Sequence, residues 1–536
     1  MTRLLPLSIS RYPFNNDALT ECGIASEILG SGHLEFSHNA PWSITHSVAT
    51  PLMNVLLAFF SGLIDSTPLD CGQILGAIVA LTTVGGLFLL GRLFSGDLRG
   101  AVVAGMMGVL FGTFVFTTGS IWKEMLGISL LVLAIMSYIR REDIRFRAVT
   151  FVILLCIPGV HHLVTAVVFL IFAYLLSWSW IYAISHRSLS RRHLYDLVTI
   201  AVPGVVAAYY YSSVQLDRLI QFSTPKAVLV LIAGFFVISL IASIILSISR
   251  HSRLTFAPLV GVGLAVVLFL DYSGFIFPYT HSASEAYLLL GFASAFILSV
   301  AWYGAEIILE ERVVYRAIQL VLLMAPITVI GLGLLQGFSV KSQQILYRTF
   351  DFFDLFLFLG AAVGLSTLWR RHRRLYPVVG AALIVSLLVS FPFAYATSEL
   401  LGVRHDTQPY EVDALNWVDH RNEPTVVISD ERIGYIASST IWITKDSSLP
   451  DILSHNETFL WYPWFYMIED SWTTIGVNDF PHGKIVISES QYARVKEGSD
   501  VFYVGGPVND HVILFGASEM GWNTVYGIST MLQSPF

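Results

Sequence analysis

Charge is scarce in this sequence. Only 13% of its 536 residues are Asp, Glu, Lys or Arg, while 55% are hydrophobic and the mean hydropathy is +0.67. A soluble globular domain carries about 25% charged residues, so lipid must be part of this chain's solvent. Cysteine is nearly absent. With Cys22, Cys71 and Cys156 alone, a disulfide framework is not expected, although Cys22 and Cys71 could pair in an oxidising space. Also missing are a nucleophile elbow, a phosphate-cradling glycine loop, paired C-x-x-C motifs and H-E-x-x-H, which argues against a soluble-type hydrolase or a nucleotide-driven pump. No basic stripe suggests nucleic acid. The first ten residues hold one Arg and a short apolar run broken by Pro6, too short for a signal peptide or a span.

What is present is a series of long apolar runs. A span needs roughly 20 apolar residues, and segments of that kind fall at 72–91, 101–119, 125–139, 195–214, 227–249, 254–277, 284–305, 314–338, 346–369 and 375–396. Residues 148–184 contain no Asp, Glu, Lys or Arg and read as two spans, turned at Pro158-Gly159 ahead of His161-His162. The expectation is therefore 12 helices, with no internal repeat. Taken alternately, one set of connections holds 17 Lys/Arg, including Arg140, Arg141, Arg370 and Arg371, against 7 in the other set. The richer set is expected in the cytoplasm. Residues 1–71 and the C-terminal tail then face outward, in a multi-pass protein of the cell membrane. Residues 47–63, with Pro51 near the start and Gly62 near the end, read as a shorter helix in the outer interface.

The tail differs in composition. From residue 403 on it has 18 Asp/Glu against 7 Lys/Arg, a net −11, which against −7 overall leaves +4 for the first 402 residues. The organisation expected is a first extracytoplasmic loop (1–71), a transmembrane part (72–396) and a soluble extracytoplasmic α/β domain (397–536). Within the last, 409–420 has helical spacing, and 425–428, 484–487 and 501–504 are strand candidates. The aromatic run from Trp461 to Tyr466 suits either the membrane surface or a small core.

Candidate functional residues lie on the outer connections. Asp17 follows Asn15-Asn16, with Glu21 one helical turn on; an acid in a loop is also commonly mere solvated surface. Lys123 and Glu124 are wedged between two spans at the lipid interface, where unpaired charge is costly. They can neutralise each other, or Glu124 can face Asp17 and share a divalent cation such as Mg²⁺ or Mn²⁺. His161 and His162 are adjacent and can contact substrate or simply snorkel. Lys341 and Arg348 precede Asp351 and Asp354, which fall inside the expected span 346–369 and are functional candidates by position. Arg348 can pair with Asp351, or its fork can bind a lipid phosphate.

The order of these features resembles the GT-C class of membrane glycosyltransferases. The stretch 41–119 is the most similar part: its Pro51-Leu52 helix, Gly62, the span ending Leu90-Gly91-Arg92-Leu93-Phe94, and the small-residue hairpin into Gly119-Ser120. The resemblance covers the first 165 residues well and the rest by architecture. It implies an α-helical polytopic fold with an outer C-terminal domain, Asp17 as the first-loop carboxylate and Glu124 as the second acidic position. It implies an inverting transfer of a sugar from a polyprenyl (dolichyl or undecaprenyl) phosphate to a glycan or glycoprotein acceptor. Asp17 would be general base, Asp17 and Glu124 would hold a metal if there is one, and Lys123, Lys341 and Arg348 would bind the donor phosphate. His161, His162 and Glu21 would contact substrate. Two departures stand out. The class begins with a span before the first outer loop, and residues 1–71 are expected to hold none. The WWDYG-type motif of oligosaccharyltransferases is absent, and Trp461-Tyr462-Pro463-Trp464 does not replace it, so a single sugar is expected rather than en-bloc transfer to asparagine.

A lipid or polysaccharide flippase or transporter, and a non-catalytic scaffold binding a partner through its acidic tail, are the competing readings. All the chemistry expected here needs Asp17 on the face opposite the arginine-rich turns. A cysteine placed at position 17 should react with a membrane-impermeant thiol reagent added outside intact cells, and one at position 373 should not; labelling of position 17 from the cytosol alone would overturn the assignment.

Overall fold

In the computed structural model the described residues are 2–8, 12–15, 17–34, 49–214, 250–273, 286–309, 313–334 and 340–395, with five strands in the tail. After a 3-10 turn (Thr2–Ser8), two short helices, α1 (Asp17–Ser31) and α2 (Leu52–Ile64), precede a bundle of longer ones. Along the chain these are α3 (Pro68–Ser95), α4 (Leu98–Leu110), α5 (Gly112–Gly119), α6 (Lys123–Ile139), α7 (Ile144–Cys156), α8 (His162–Ser185) and α9 (Arg191–Ser213). Then follow α10 (Arg250–Tyr272), α11 (Ala286–Ile308), α12 (Val313–Leu334), α13 (Val340–Arg371) and α14 (Tyr376–Ser390). Among the described residues seven helices are long and apolar enough to cross a membrane, and an eighth span is formed if the bent pair α4–α5 counts as one. The expected span 227–249, the helix 409–420 and the strand 484–487 lie outside the described residues. The polypeptide is thus a mostly helical, multi-pass membrane protein.

Local chemistry explains where helices begin and stop. Thr67 caps α3 by accepting from the Asp70 N–H at 3.2 Å, with Pro68 at the first helical position, and Gly96 ends it in the left-handed region at φ 73°. Pro158-Gly159 turns the chain between α7 and α8 as expected. The expected interfacial helix is α2, whose 13 residues are too short to span; it buries Met53, Asn54, Leu57 and Ser61 and exposes Val55, Phe59 and Leu63.

The segment 101–119 is not one straight span. It breaks at Phe111 and turns through 66°. Phe111 is extended (φ −72°, ψ 115°), closing α4 and opening α5. Four hydrogen bonds brace the break. The Arg3 guanidinium donates to the orphaned carbonyls of Gly108 (2.5 Å) and Val109 (3.1 Å), as a cation at a helix C-terminus should. It also donates to the Thr118 hydroxyl at 2.7 Å. The Gly112 N–H donates to Ser390 Oγ at 3.2 Å, and a Cβ on Gly112 would overlap the Ser390 carbonyl. Burial draws the Arg3 guanidinium down to about 10, still cationic at neutral pH.

Through the centre, α13 packs against α11, α12, α3 and α4. Its approach to α11 is close because Gly304, Gly360 and Gly364 meet backbone to backbone; a Cβ on Gly304 would overlap the Gly360 carbonyl, and one on Gly360 or Gly364 would overlap Ala301 or Val300. Around this seam lies a core with Phe114, Phe172, Phe352, Phe356 and Phe358 fully buried. Cys22 and Cys71 are buried and not joined in a disulfide.

The arginine-rich connections meet at one end. Arg141 and Arg147, at the α6–α7 turn, both reach Asp196 of α9 (3.1 and 3.6 Å). At the same end Asp97 joins the α3–α4 turn to α13: it accepts from Ser366 Oγ at 2.5 Å and the Gly100 N–H at 2.9 Å, while Arg370 donates to the Ser95 carbonyl at 3.1 Å.

In the tail, β1 (Val427–Ser429), β2 (Ile443–Lys445), β3 (Thr458–Trp461), β4 (Val501–Val504) and β5 (Val512–Phe515) form one sheet in the order β2-β1-β3-β4-β5. The β1–β2, β1–β3 and β3–β4 pairs are parallel and β4–β5 is antiparallel. The expected strands at 425–428 and 501–504 fall on β1 and β4, whereas β2, β3 and β5 were not among the expected strands.

Two measurements check these contacts. Gly360→Leu should force α11 from α13 and cost about 1–3 kcal/mol or more, read as a lower unfolding midpoint in detergent; an unchanged midpoint would contradict the seam. Burial raises the Asp97 carboxyl, but Ser366, the Gly100 N–H, Arg370 and Arg99 together outweigh it and hold it below its ordinary value. Its contribution to stability is therefore complete above the unfolded value of about 3.9 and is lost as pH falls through the lower folded value. Asp97→Asn should remove that acid-dependent part of the unfolding profile.

Candidate active site

At the end of the bundle opposite the arginine cluster, the start of α6 brings Lys123 and Glu124 inside. Trp122 precedes them in an extended conformation (φ −117°, ψ 150°), so both charges enter within the first helical turn. Adjacent residues on a helix point about 100° apart and cannot face each other. They consequently do not neutralise one another; each finds a different partner.

Lys123 turns toward α1 and α2. Its Nζ lies 3.2 Å from Glu21 Oε1 and donates to Thr50 Oγ1 at 2.9 Å. Glu21 is held further by Asn54, whose Nδ2 donates to Oε2 at 2.5 Å and to the Glu21 carbonyl at 3.2 Å. All of these residues are buried. Lys123 and Glu21, expected at phosphate and substrate, are here a satisfied ion pair that ties α1 and α2 to α6. Cys22, beside Glu21, is pushed up by burial, then by Glu21 and Cys71, and stays a neutral thiol.

Glu124 turns the other way. Its Oε1 accepts from Arg348 Nη1 at 3.3 Å and lies 3.7 Å from His161 Nδ1, an ion pair only when the imidazole is protonated. Its place in the first turn of α6 also puts the carboxylate in the favourable field of the helix N-terminus. Arg348 stands 5.9 Å over the Trp122 ring and keeps about a third of its side chain exposed (35%), against 6% for Glu124. His161 and His162 sit at the start of α8 with ring centroids 4.2 Å apart; His161 is buried, and His162 is half-buried. Arg348 therefore pairs with Glu124 and not with Asp351, which instead accepts from Thr117 Oγ1 at 2.8 Å.

Asp17 is the first residue of α1, following Asn15 in the left-handed region at φ 95° and lying one turn ahead of Glu21. Its side chain, like that of Lys341 in the first turn of α13, lies outside the described residues. The structure thus unites Glu21, Lys123, Glu124, His161, His162 and Arg348 at one end of the bundle. Thr50 and Asn54 had escaped notice. Asn54 had a signal, as the one amide within the apolar helix α2; Thr50 had none.

Among the described residues no three of His, Cys, Asp and Glu converge as a metal site. The groups nearest Glu124 are a guanidinium and an imidazole, so the described side chains do not by themselves fit a divalent cation. Asp17, the other expected ligand, is outside them.

No protein-family model and no curated protein matches this sequence. Among solved structures, the chain is similar to the archaeal oligosaccharyltransferase AglB from Archaeoglobus fulgidus in complex with an inhibitory peptide and a dolichol-phosphate. The TM-score is 0.50 at 14% identity, over 94% of this chain and 68% of that one. In the zinc- and sulfate-bound crystal structure of the Archaeoglobus fulgidus oligosaccharyltransferase, the chain spans 61% of its length. It also matches the arabinofuranosyltransferase AftD from Mycobacteria (TM-score 0.48, 16% identity, 83% of this chain and 31% of that one). A further match is ArnT from Cupriavidus metallidurans (TM-score 0.40, 13% identity, 94% and 90%). The fold is similar to that of the Archaeoglobus fulgidus oligosaccharyltransferase.

Because Lys123 is buried against Glu21, Lys123→Met should take the cation from a buried carboxylate and destabilise by about 3–5 kcal/mol, and the double change with Glu21→Gln should recover most of it. Unfolding of the three variants measures this. If Lys123→Met left stability intact, the pair would not be structural.

Proposed function

We propose that this chain is a glycosyltransferase that moves a single sugar from a polyprenyl-phosphate donor to an acceptor hydroxyl on the outer face of the membrane. The reading is supported by the GT-C fold and, above all, by Arg348: a part-exposed guanidinium held by Glu124 at the end of the bundle where the first-loop helices sit. A fork of N–H donors suits phosphate oxygens, and a bilayer-embedded tail brings a lipid phosphate to the interface.

In the proposed step the acceptor oxygen attacks the anomeric carbon as the bond from that carbon to the phosphate oxygen breaks. The electron pair goes to the phosphate, the acceptor's proton goes to the Asp17 carboxylate, and the anomeric centre inverts. Arg348, with Lys341 from the first turn of α13, stabilises the growing phosphate charge. Glu124 aims the guanidinium, and His161 and His162 at the start of α8 contact the sugar. Lys123 and Glu21 act behind them, fixing the first-loop helices. No step is routed through a metal ion; a cation between Asp17 and Glu124 would have to share Glu124 with Arg348 and His161. The orientation assumed is the one set by the Lys/Arg asymmetry. A carrier is the rival reading, favoured by the intramembrane acids Asp351 and Asp354.

Purified protein given a polyprenyl-phosphate hexose and a hydroxyl acceptor should form a glycosidic product of inverted configuration, seen by mass spectrometry and NMR. Asp17→Asn should lower the rate by about 100- to 10,000-fold. Arg348→Ala should lower it roughly 100-fold or more, with Arg348→Lys restoring part. Movement of the donor across vesicles with no product would establish the carrier instead.

A further inference from the structure

Asp351 and Asp354 lie one helical step apart (i, i+3) on α13, inside the membrane-spanning segment Arg348–Arg371. Each is 4% exposed. Both face the broken span: Thr117 Oγ1 donates to Asp351 Oδ1 at 2.8 Å, and the Thr113 hydroxyl lies near Asp354. The second oxygen of each carboxyl is buried and without a hydrogen-bond partner, and neither acid has an ion-pair partner among the described residues. The charged groups whose fields reach Asp351 are Glu124 on α6 and Arg348 on α13; the one that reaches Asp354 is Asp351. Arg348, the cation among them, points at Glu124. Two bare anions in an apolar bundle, near a third carboxylate and with the nearest cation already engaged by Glu124, are not a stable arrangement. A proton removes that penalty without needing room, and two partnerless carboxyl oxygens are where it would sit.

We propose that Asp351 and Asp354 form a proton-binding pair within the membrane, holding at least one proton at neutral pH, and that this proton leaves Arg348 to Glu124. Removing it places an anion one turn from Arg348 on the same helix and sets Asp351 in competition with Glu124 for the guanidinium. Thr117 is the fixed donor of the site; Thr113, one turn away on α5, stands near Asp354 as Thr117 stands at Asp351, matching the spacing of the acids on α13. The pair itself stands whatever the protein transfers; its effect on activity rests on the role given to Arg348 above.

Infrared spectroscopy of the purified full-length protein at neutral pH reads the proton directly. The expected spectrum contains a protonated-carboxyl carbonyl band that shifts on ¹³C-labelling of aspartate and is weakened by Asp351→Asn or Asp354→Asn and abolished by the double change. The labelling arm needs no variant and so does not depend on variant folding. Absence of a labelled carboxylic-acid band, or its persistence in the folded double variant, overturns the pair. In the transfer assay, activity of the native protein should fall at alkaline pH as the pair ionises, and Asp351→Asn should remove that fall. An unchanged alkaline limb with the band present overturns the competition for Arg348 alone, whereas absence of any transfer in the native protein counts against the glycosyltransferase reading and leaves the band to decide the pair.

Discussion

A buried charge must be answered by another, and at the head of α6 two adjacent charges have to be answered in different directions. Lys123 and Glu124 leave the helix about 100° apart, so the partners of one cannot serve the other. Glu21, Thr50 and Asn54 gather round Lys123 on one side, and His161 and Arg348 gather round Glu124 on the other. Five segments of the chain meet at this point because each supplies one member of a pair. The first-loop helices are docked by the Lys123 side and the long central helix by the Glu124 side, which is how a few side chains organise one whole end of the molecule.

The break at Phe111 has a second consequence. A straight helix through 101–119 would turn its backbone carbonyls inward upon themselves; the bent one frees two of them for Arg3 and swings its threonines toward α13. The polar groups of the bundle interior are therefore not scattered. They run from Glu124 and Arg348 down one face of α13 to Asp351 and Asp354, opposite the hydroxyls of α5. Glycines at the seam with α11 let the helix that carries them sit at the centre of the core.

The far end is organised differently. There Asp97, Asp196, Arg141, Arg147 and Arg370 knit helix ends together with partly exposed bonds, and α3, α6, α8 and α13 each run between the two ends. One end thus carries partnered charge arranged around a part-exposed guanidinium, and the other carries anchoring contacts. That polarity agrees with the asymmetry of Lys and Arg along the chain.

Much of this was legible in the residues alone. Apolar runs with few charges could only be membrane helices, and the Pro158-Gly159 turn, the short helix at residue 52 and the burial of Asp351 and Asp354 followed from spacing and composition. The grouping of Lys123, Glu124, His161 and Arg348 at one end also followed, because helices of known length and alternating direction put their ends in register. Which charge pairs with which did not follow. Arg348 and Asp351 are neighbours on one helix and were natural partners by spacing, yet the guanidinium meets Glu124, more than two hundred residues earlier in the chain. Likewise the glycines in the run from Ala101 to Gly119 did not say where it would break, since Phe111 is an ordinary helix residue; the bend is satisfied by Arg3, from the first loop, and by Ser390, from the far end of the membrane part. Periodicity and charge determine which elements form and where they lie relative to lipid, because each is a property of one segment and its solvent. Ion pairing and the bent span depend on side chains from distant segments, and only the tertiary structure brings those together.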